Sequence, residues 1–256
     1  MQEKIQDYLK QIEADKDITI LLAVETGSRA WGFPSPDSDY DIRILYVHKK
    51  DWYLSLNEQK DSIDLMFENN DIDVTGWELK KSLKLLAKSN AALLERIQSP
   101  IVYQSKPEFM KEILEVAETQ YSRIATLHHY LSMAKGFLYE VNSGPEYKLK
   151  KFFYALRSVV ACQWILEKDV MPPIVFTEMI ESLDLEESVL KRIKELIQLK
   201  ARSSEAYFHS GEAELRQFMA KIIKKADKER KSLPASKGKM DDLNRLFLKT
   251  VTDYDY

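Results

Sequence analysis

The stretch Glu25-Thr-Gly-Ser-Arg-Ala-Trp-Gly-Phe-Pro-Ser-Pro-Asp-Ser-Asp-Tyr-Asp-Ile-Arg-Ile-Leu-Tyr-Val47 decides the fold. Ahead of it, Ile18-Thr-Ile-Leu-Leu-Ala-Val24 is a continuous apolar run, partly β-branched, and predicts a buried strand. Gly27-Ser28 breaks the strand and lets the backbone turn tightly. Residues 28–31 predict a short helical turn whose free N–H groups suit an anion such as a phosphate. Pro34-Ser-Pro-Asp-Ser38 carries turn chemistry. Tyr40 to Val47 then predicts a second strand.

Asp39 and Asp41 stand two residues apart at the head of that strand. Side chains alternate along a strand, so the two carboxylates point to one side. Held this way they repel unless a cation sits between them, and hard oxygen ligands on one or two Mg²⁺ ions are the natural solution. Asp37 lies in the turn and need not share that face. An Asp-rich turn that merely opens a strand is the plain alternative for Asp-x-Asp alone. Gly-Ser ahead of it, after a strand, favours the metal.

Gly-Ser, a short spacer and Asp-x-Asp entering a strand resemble the signature of the DNA polymerase β-like nucleotidyltransferase superfamily. The longer string from Glu25 to Arg43 resembles, more narrowly, the RlaP (YcgL-type) predicted nucleotidyltransferase family. Two later stretches look like the same family. One is Gly76-Trp-Glu-Leu-Lys-Lys81 with Ser99-Pro-Ile-Val-Tyr103, and the other is Lys150-Lys-Phe-Phe-Tyr-Ala-Leu-Arg157. The resemblance covers roughly residues 18–166 and is specific for fold and chemistry, not for substrate.

The 256 residues suffice for one large domain or two small ones. A hydrophobic share of 45% beside 31% charged residues is that of a soluble globular chain. A net charge of −3 with no basic tail argues against a generic polyanion binder. The single cysteine, Cys162, excludes an internal disulfide and a Cys-rich zinc site, and suits a reducing cytoplasm. It falls in an apolar helical run and reads as a buried small hydrophobe. No apolar segment reaches membrane-spanning length, so the expected location is cytoplasmic, with no membrane partner.

Residues 1–14 carry Ile5, Tyr8, Leu9 and Ile12 at helical spacing. After the motif, residues 52–56 and 62–67 predict short strands. Residues 71–77 alternate acidic and apolar positions, so Asp71 and Asp73 face one side of a further strand. Residues 78–87 predict a helix with a basic face of Lys80, Lys81, Lys84 and Lys88. Such a face is by default solvated, though it leaves the acidic strand at a point where a lysine could meet phosphates. A short helix at 90–98 and a strand at 101–103 bring the chain to an expected boundary near Ser105. Beyond it the spacing is helical almost throughout. Along one helix there, Lys150, Tyr154 and Arg157 recur on one face. Read from its residues alone, that stripe is a solvated surface.

The expected architecture is α+β: a nucleotidyltransferase domain with a mixed sheet over residues 1–105, then an all-helical domain over 106–256. The resemblance implies that the helical domain closes the nucleotide cleft. It also implies metal-dependent transfer of a nucleoside monophosphate from an NTP to a hydroxyl, releasing pyrophosphate. Asp39 and Asp41 would hold two Mg²⁺ ions, with Mn²⁺ as a substitute. The superfamily needs a third carboxylate on a neighbouring strand, and Asp73 matches it, with Asp71 and Asp64 as alternatives. Asp73 would also serve as general base. Gly27, Ser28 and Arg29 would meet the triphosphate, joined by Lys150, Tyr154 and Arg157. The acceptor stays open between an RNA end, in keeping with RNA repair, a small-molecule hydroxyl and a protein side chain. The acidic balance favours a small or structured acceptor. A catalytically inactive nucleotide-binding or antitoxin-like interaction protein is the rival reading, and nothing in the sequence sets the oligomeric state.

Overall fold

The computed structural model describes residues 1–235 and 238–255. Its principal sheet is built from β1 (Ile18–Glu25), β2 (Tyr40–His48), β3 (Ser62–Phe67), β4 (Ile72–Glu78) and β5 (Val102–Ser105). Their order is β3-β4-β2-β1-β5. β2 and β4 pair in parallel, and the remaining neighbours are antiparallel. The sheet is mixed and the class is α+β, as expected.

Residue spacing explains how the sheet is covered. In α1 (Gln2–Lys16) the buried residues are Ile5, Leu9 and Ile12, a single stripe at helical spacing. They pack with Ile20, Ile42, Ile44, Ile72 and Val74 from three strands. Each such side chain contributes roughly 1.5–3 kcal/mol when it leaves water. Strand alternation then commits Asp41 and Arg43, and Asp73 and Thr75, to the opposite face of the sheet. β2 and β4 also pack against α4 (Leu79–Ala87), which is followed by α5 (Ala91–Ile97). Glu78 is fully buried and caps α4, accepting hydrogen bonds from the N–H groups of Lys80 and Lys81.

The chain divides into two compact units. The first holds Met1–Gly27, Asp39–Tyr121 and the last helix, α12 (Met240–Asp253). α6 (Pro107–Gln120) belongs to it, because α12 packs on both α4 and α6. The boundary expected at residue 105 therefore differs from the observed one: the helix after Ser105 and the final helix complete the sheet unit. Apolar periodicity marks a helix but not the unit in which it packs.

The second unit holds Ser28–Ser38 together with Ser122–Ala235. Thus α2 (Gly27–Trp31) begins in one unit and ends in the other. The helices of the second unit are α7 (Arg123–Val141), α8 (Leu149–Glu167), α9 (Phe176–Glu181), α10 (Glu187–Lys200) and α11 (Ala213–Glu229). α8 is its axis, buried along nearly its whole length, Cys162 included, and packed against α7, α9 and α11. The unit is not all-helical. A two-stranded ribbon joins β6 (Glu146–Lys148) to β7 (Phe208–Ser210). Strands of three residues are too short to show a period of two, which is why spacing missed them.

One further expectation fails in the first unit. The strand predicted over 52–56 is a helix, α3 (Lys50–Leu54). Trp52 stacks on His48 while its neighbour Tyr53 donates a 2.6 Å hydrogen bond to Glu78. In a strand these adjacent side chains would point to opposite faces. Among the described residues no helix is long and apolar enough to cross a membrane.

Candidate active site

β1 ends on Glu25, whose side chain is completely buried. Its Oε1 accepts the backbone N–H of Asp41 at 2.7 Å, and its Oε2 accepts the hydroxyl of Tyr103 at 2.6 Å. The next residue, Thr26, donates both its N–H and its hydroxyl to the carbonyl of Asp41, at 2.9 and 3.0 Å. Asp41 is thus gripped from both backbone sides by the end of the preceding strand. Gly27 follows at φ +64°, and a Cβ there would fall 2.3 Å from Asp41 Oδ2. Glycine is required both for the left-handed turn and for this close approach.

The parallel register sets Asp41 opposite Asp73. Arg43 Nη2 lies 2.9 Å from Asp41 Oδ1 and 2.9 Å from Asp73 Oδ2. Its Nη1 donates to the backbone carbonyls of Ile42 and Asp73. Two carboxylates on neighbouring strands would repel, and the guanidinium offsets that repulsion. Arg43 lies inside the motif that opens β2, and the same alternation that aligns Asp39 with Asp41 puts it on their face, so the sequence carries its signal. Of the three candidates for a third carboxylate, Asp73 is the one beside Asp41. Asp64 is exposed on β3 with its Oδ2 3.8 Å from Lys60, and Asp71 precedes β4 and offers its carbonyl to Tyr40. Asp39 is exposed just ahead of β2. Among the described residues no group of three or more His, Cys, Asp or Glu side chains is gathered as a metal site.

Arg96, on α5, extends the cationic side of this face. It is 5% exposed, and its guanidinium lies 3.3 Å from the centre of the Trp77 ring. Burial first, and then the like charge of Arg43, lowers its pKa to about 9, while Asp73 acts in the opposite sense. Nothing in the local sequence marks it, since Leu-Glu-Arg reads as an ordinary helical surface.

The other sequence candidates lie in the second unit and are engaged there. Ser28 is buried with its hydroxyl 3.1 Å from that of Ser38, and Arg29 donates to the Ser38 carbonyl at 2.6 Å. Lys150 pairs with Glu205 at 3.1 Å. Tyr154 meets the Trp31 ring edge-on at 5.3 Å. Arg157 is only 2% exposed, lies 4.4 Å over the Trp31 ring and donates to the Ile174 carbonyl. The stripe is not solvated; it holds Trp31 and, through Glu205, the loop after it. Glu205 also takes the hydroxyl of Ser38 at 2.5 Å, and the buried Lys200 bridges Glu205 and Ser35 at 3.1 and 2.8 Å. Lys200 and Glu205 are not legible from spacing.

Comparison with known proteins bears on this arrangement. The chain is 38% identical over 254 residues to the uncharacterized protein YcgL of Bacillus subtilis (strain 168), covering 99% of this chain and 97% of that one. It also resembles the crystal structure of a nucleotidyltransferase-like protein from Exiguobacterium sibiricum 255-15, over 98% of this chain and 81% of that one. At 10% identity and a TM-score of 0.32 that likeness is too weak to argue from. Residues 1–249 match the family described as RlaP, RNA repair pathway DNA polymerase beta family, and with that span the chain belongs to it.

Proposed function

We propose that the protein is a metal-dependent nucleotidyltransferase that moves a nucleoside monophosphate from an NTP to a hydroxyl group and releases pyrophosphate. The observation that carries this reading is the cross-strand pair Asp41 and Asp73, both within 2.9 Å of one guanidinium nitrogen. Two hard oxygens already converge on positive charge, so the donor set fits Mg²⁺ or Mn²⁺, provided that Arg43 yields its place. Asp39, Asp41 and Asp73 would hold the ions. When bound, the metal lowers the pKa of an attacking hydroxyl and offsets charge on the triphosphate.

The chain's own groups divide the remaining work. Glu25 and Thr26 fix the backbone of Asp41, so its carboxylate is presented without reorganisation. Asp73 accepts the proton of the acceptor hydroxyl. Gly27, Ser28 and Arg29 meet the nucleotide's phosphates. Lys150, Tyr154 and Arg157 enter this reading through Trp31 and Glu205, as groups that hold the segment carrying Ser28 and Arg29. The family's description as one of RNA repair supports an RNA hydroxyl as acceptor.

The test is pyrophosphate release from each labelled NTP with Mg²⁺, with and without RNA. Asp41→Asn and Asp73→Asn should each lower turnover by several orders of magnitude while the fold survives. Near-normal turnover in either variant overturns the assignment. No release with any nucleotide returns the protein to a nucleotide-binding scaffold.

A further inference from the structure

The basic face of α4 has no part in the chemistry above, yet it lines a cleft of about 580 Å³ at the other end of β4 from Asp73. From Asp73 to Glu78 the strand runs about 17 Å. The cleft is lined by Trp52, Tyr53, Lys80, Lys81, Lys84 and Lys88, among others. Its acidic groups are in part committed elsewhere. Glu78 is buried as the cap of α4, and Asp61 is paired with Lys81 at 2.8 Å. Lys80, Lys84 and Lys88 are exposed and form no ion pair among the described residues.

Lys80 and Lys84 stand one helical turn apart on α4, a rise of about 6 Å, and Lys88 follows as the residue that ends the helix. That matches a row of successive phosphates along an extended strand better than it matches a single compact anion. Beside them the cleft has a flat aromatic wall. Trp52 is stacked on His48 with ring centres 4.2 Å apart and planes 6° from parallel. Burial, opposed by Asp17, brings the His48 pKa down to about 4, so the stack is uncharged at neutral pH. A cationic row flanking a planar ring is the combination that single strands use: phosphates on the charges, a base on the ring.

We propose that this cleft docks a single-stranded nucleic acid, with its phosphates along Lys80, Lys84 and Lys88 and a base against Trp52. The proposal deepens the reading of an RNA acceptor and rests on it for the strand's purpose. Its test needs no turnover, so the two can fail separately. An acidic protein segment would use the lysines but not the ring.

The experiment is fluorescence anisotropy of a labelled single-stranded oligonucleotide, as RNA and as DNA, titrated with the full chain over a range of salt. Wild type should bind, and more weakly as salt rises. The triple variant Lys80→Ala/Lys84→Ala/Lys88→Ala should bind at least about tenfold more weakly, with the salt slope reduced by about 2. Alanine suits exposed helical positions, so its circular dichroism should match wild type. Trp52→Ala should weaken binding roughly 5- to 100-fold. Tighter binding of RNA than DNA identifies the strand as RNA; equal binding leaves a surface for either strand, as proposed. Absence of binding by wild type, unchanged binding by the triple variant, or equal competition by poly-glutamate overturns the proposal. If wild type binds the strand here yet transfers nothing, the catalytic reading fails and the docking surface stands.

Discussion

The carboxylate of Glu25 accepts the backbone N–H of Asp41 at 2.7 Å, from a side chain with no exposed surface. With Tyr103 on its second oxygen, Glu25 ties the ends of β1, β2 and β5 together around one acidic residue. Glu25→Ala would strand the Asp41 N–H and the Tyr103 hydroxyl, each at about 1–3 kcal/mol when buried and unpaired. The expected loss in urea denaturation is roughly 2–5 kcal/mol. Glu25→Gln keeps the shape and one acceptor oxygen and should lose less. A cost below about 1 kcal/mol for the alanine variant would mean that Asp41 is held by other groups.

Arg43 and a bound cation would draw on the same two carboxylates, and this competition is measurable without any substrate. Arg43→Ala removes the guanidinium that bridges Asp41 and Asp73. In metal-free buffer its stability should fall by about 1 kcal/mol, the scale of a partly exposed ion pair. Added MgCl₂ should raise its melting temperature more than it raises that of wild type, because a competing cation is gone. Equal shifts in both proteins would show that Arg43 and the metal use different oxygens.

Glycines at two positions give opposite expectations. Gly27 has φ +64° and no room for a Cβ beside Asp41. Gly27→Ala should lose roughly 1–2 kcal/mol from the left-handed backbone alone, and more from the contact with Asp41. Gly136 lies within α7, and a Cβ added there would meet nothing within 4 Å. Gly136→Ala should therefore gain about 0.5–1 kcal/mol through helix propensity. Thermal denaturation of the pair checks both signs at once, and a stabilised Gly27→Ala would refute the packing described for the turn.

The legible parts of the molecule are those written in local chemistry. The apolar run 18–24, the Gly27-Ser28 break and the alternation from Tyr40 mark β1, α2 and β2 to within one or two residues. Asn90 and Glu78 open the helical spans predicted at 90–98 and 78–87, and each proves to be the cap just ahead of the observed helix. What local chemistry does not carry is long-range choice. Whether α6 packs with the sheet, or whether Arg157 faces water or Trp31, depends on partners far away in sequence. The same holds for Arg96 and for Lys200, whose positions look like ordinary helical surface until the partner element is known. Asp73 is the intermediate case. Alternation places it on a strand face, but only the register of β2 with β4 sets it beside Asp41 in preference to Asp64.

The loop between α2 and β2 is pinned by a buried ion pair, and pH should read its strength. Burial pushes the Glu205 carboxyl up, but the Ser38 hydroxyl, Lys200 and Lys150 together outweigh it and hold the group below its ordinary 4.5. A carboxyl depressed in the folded state adds stability that is complete above 4.5 and is lost as pH falls through the lower folded value. Lys200 is depressed as well, chiefly by burial and against the pull of Glu205. For a lysine the unfolded chain then keeps the proton longer, so stability rises with pH as the folded value is passed, up to the ordinary 10.5. Glu205→Gln removes the counter-charge and leaves the ammonium buried. At pH 7 it should cost about 3 kcal/mol, the scale of a buried pair with one partner removed. Below about pH 4.5 the gap from wild type should narrow, because wild type loses its own ion pair there. On the alkaline side the gap should narrow again, since losing Glu205 depresses Lys200 further and its deprotonation relieves the buried charge. Urea denaturation from about pH 3 to 10 follows both limbs. Stability curves that stay parallel throughout would show that the Lys200–Glu205 pair does not fasten the loop.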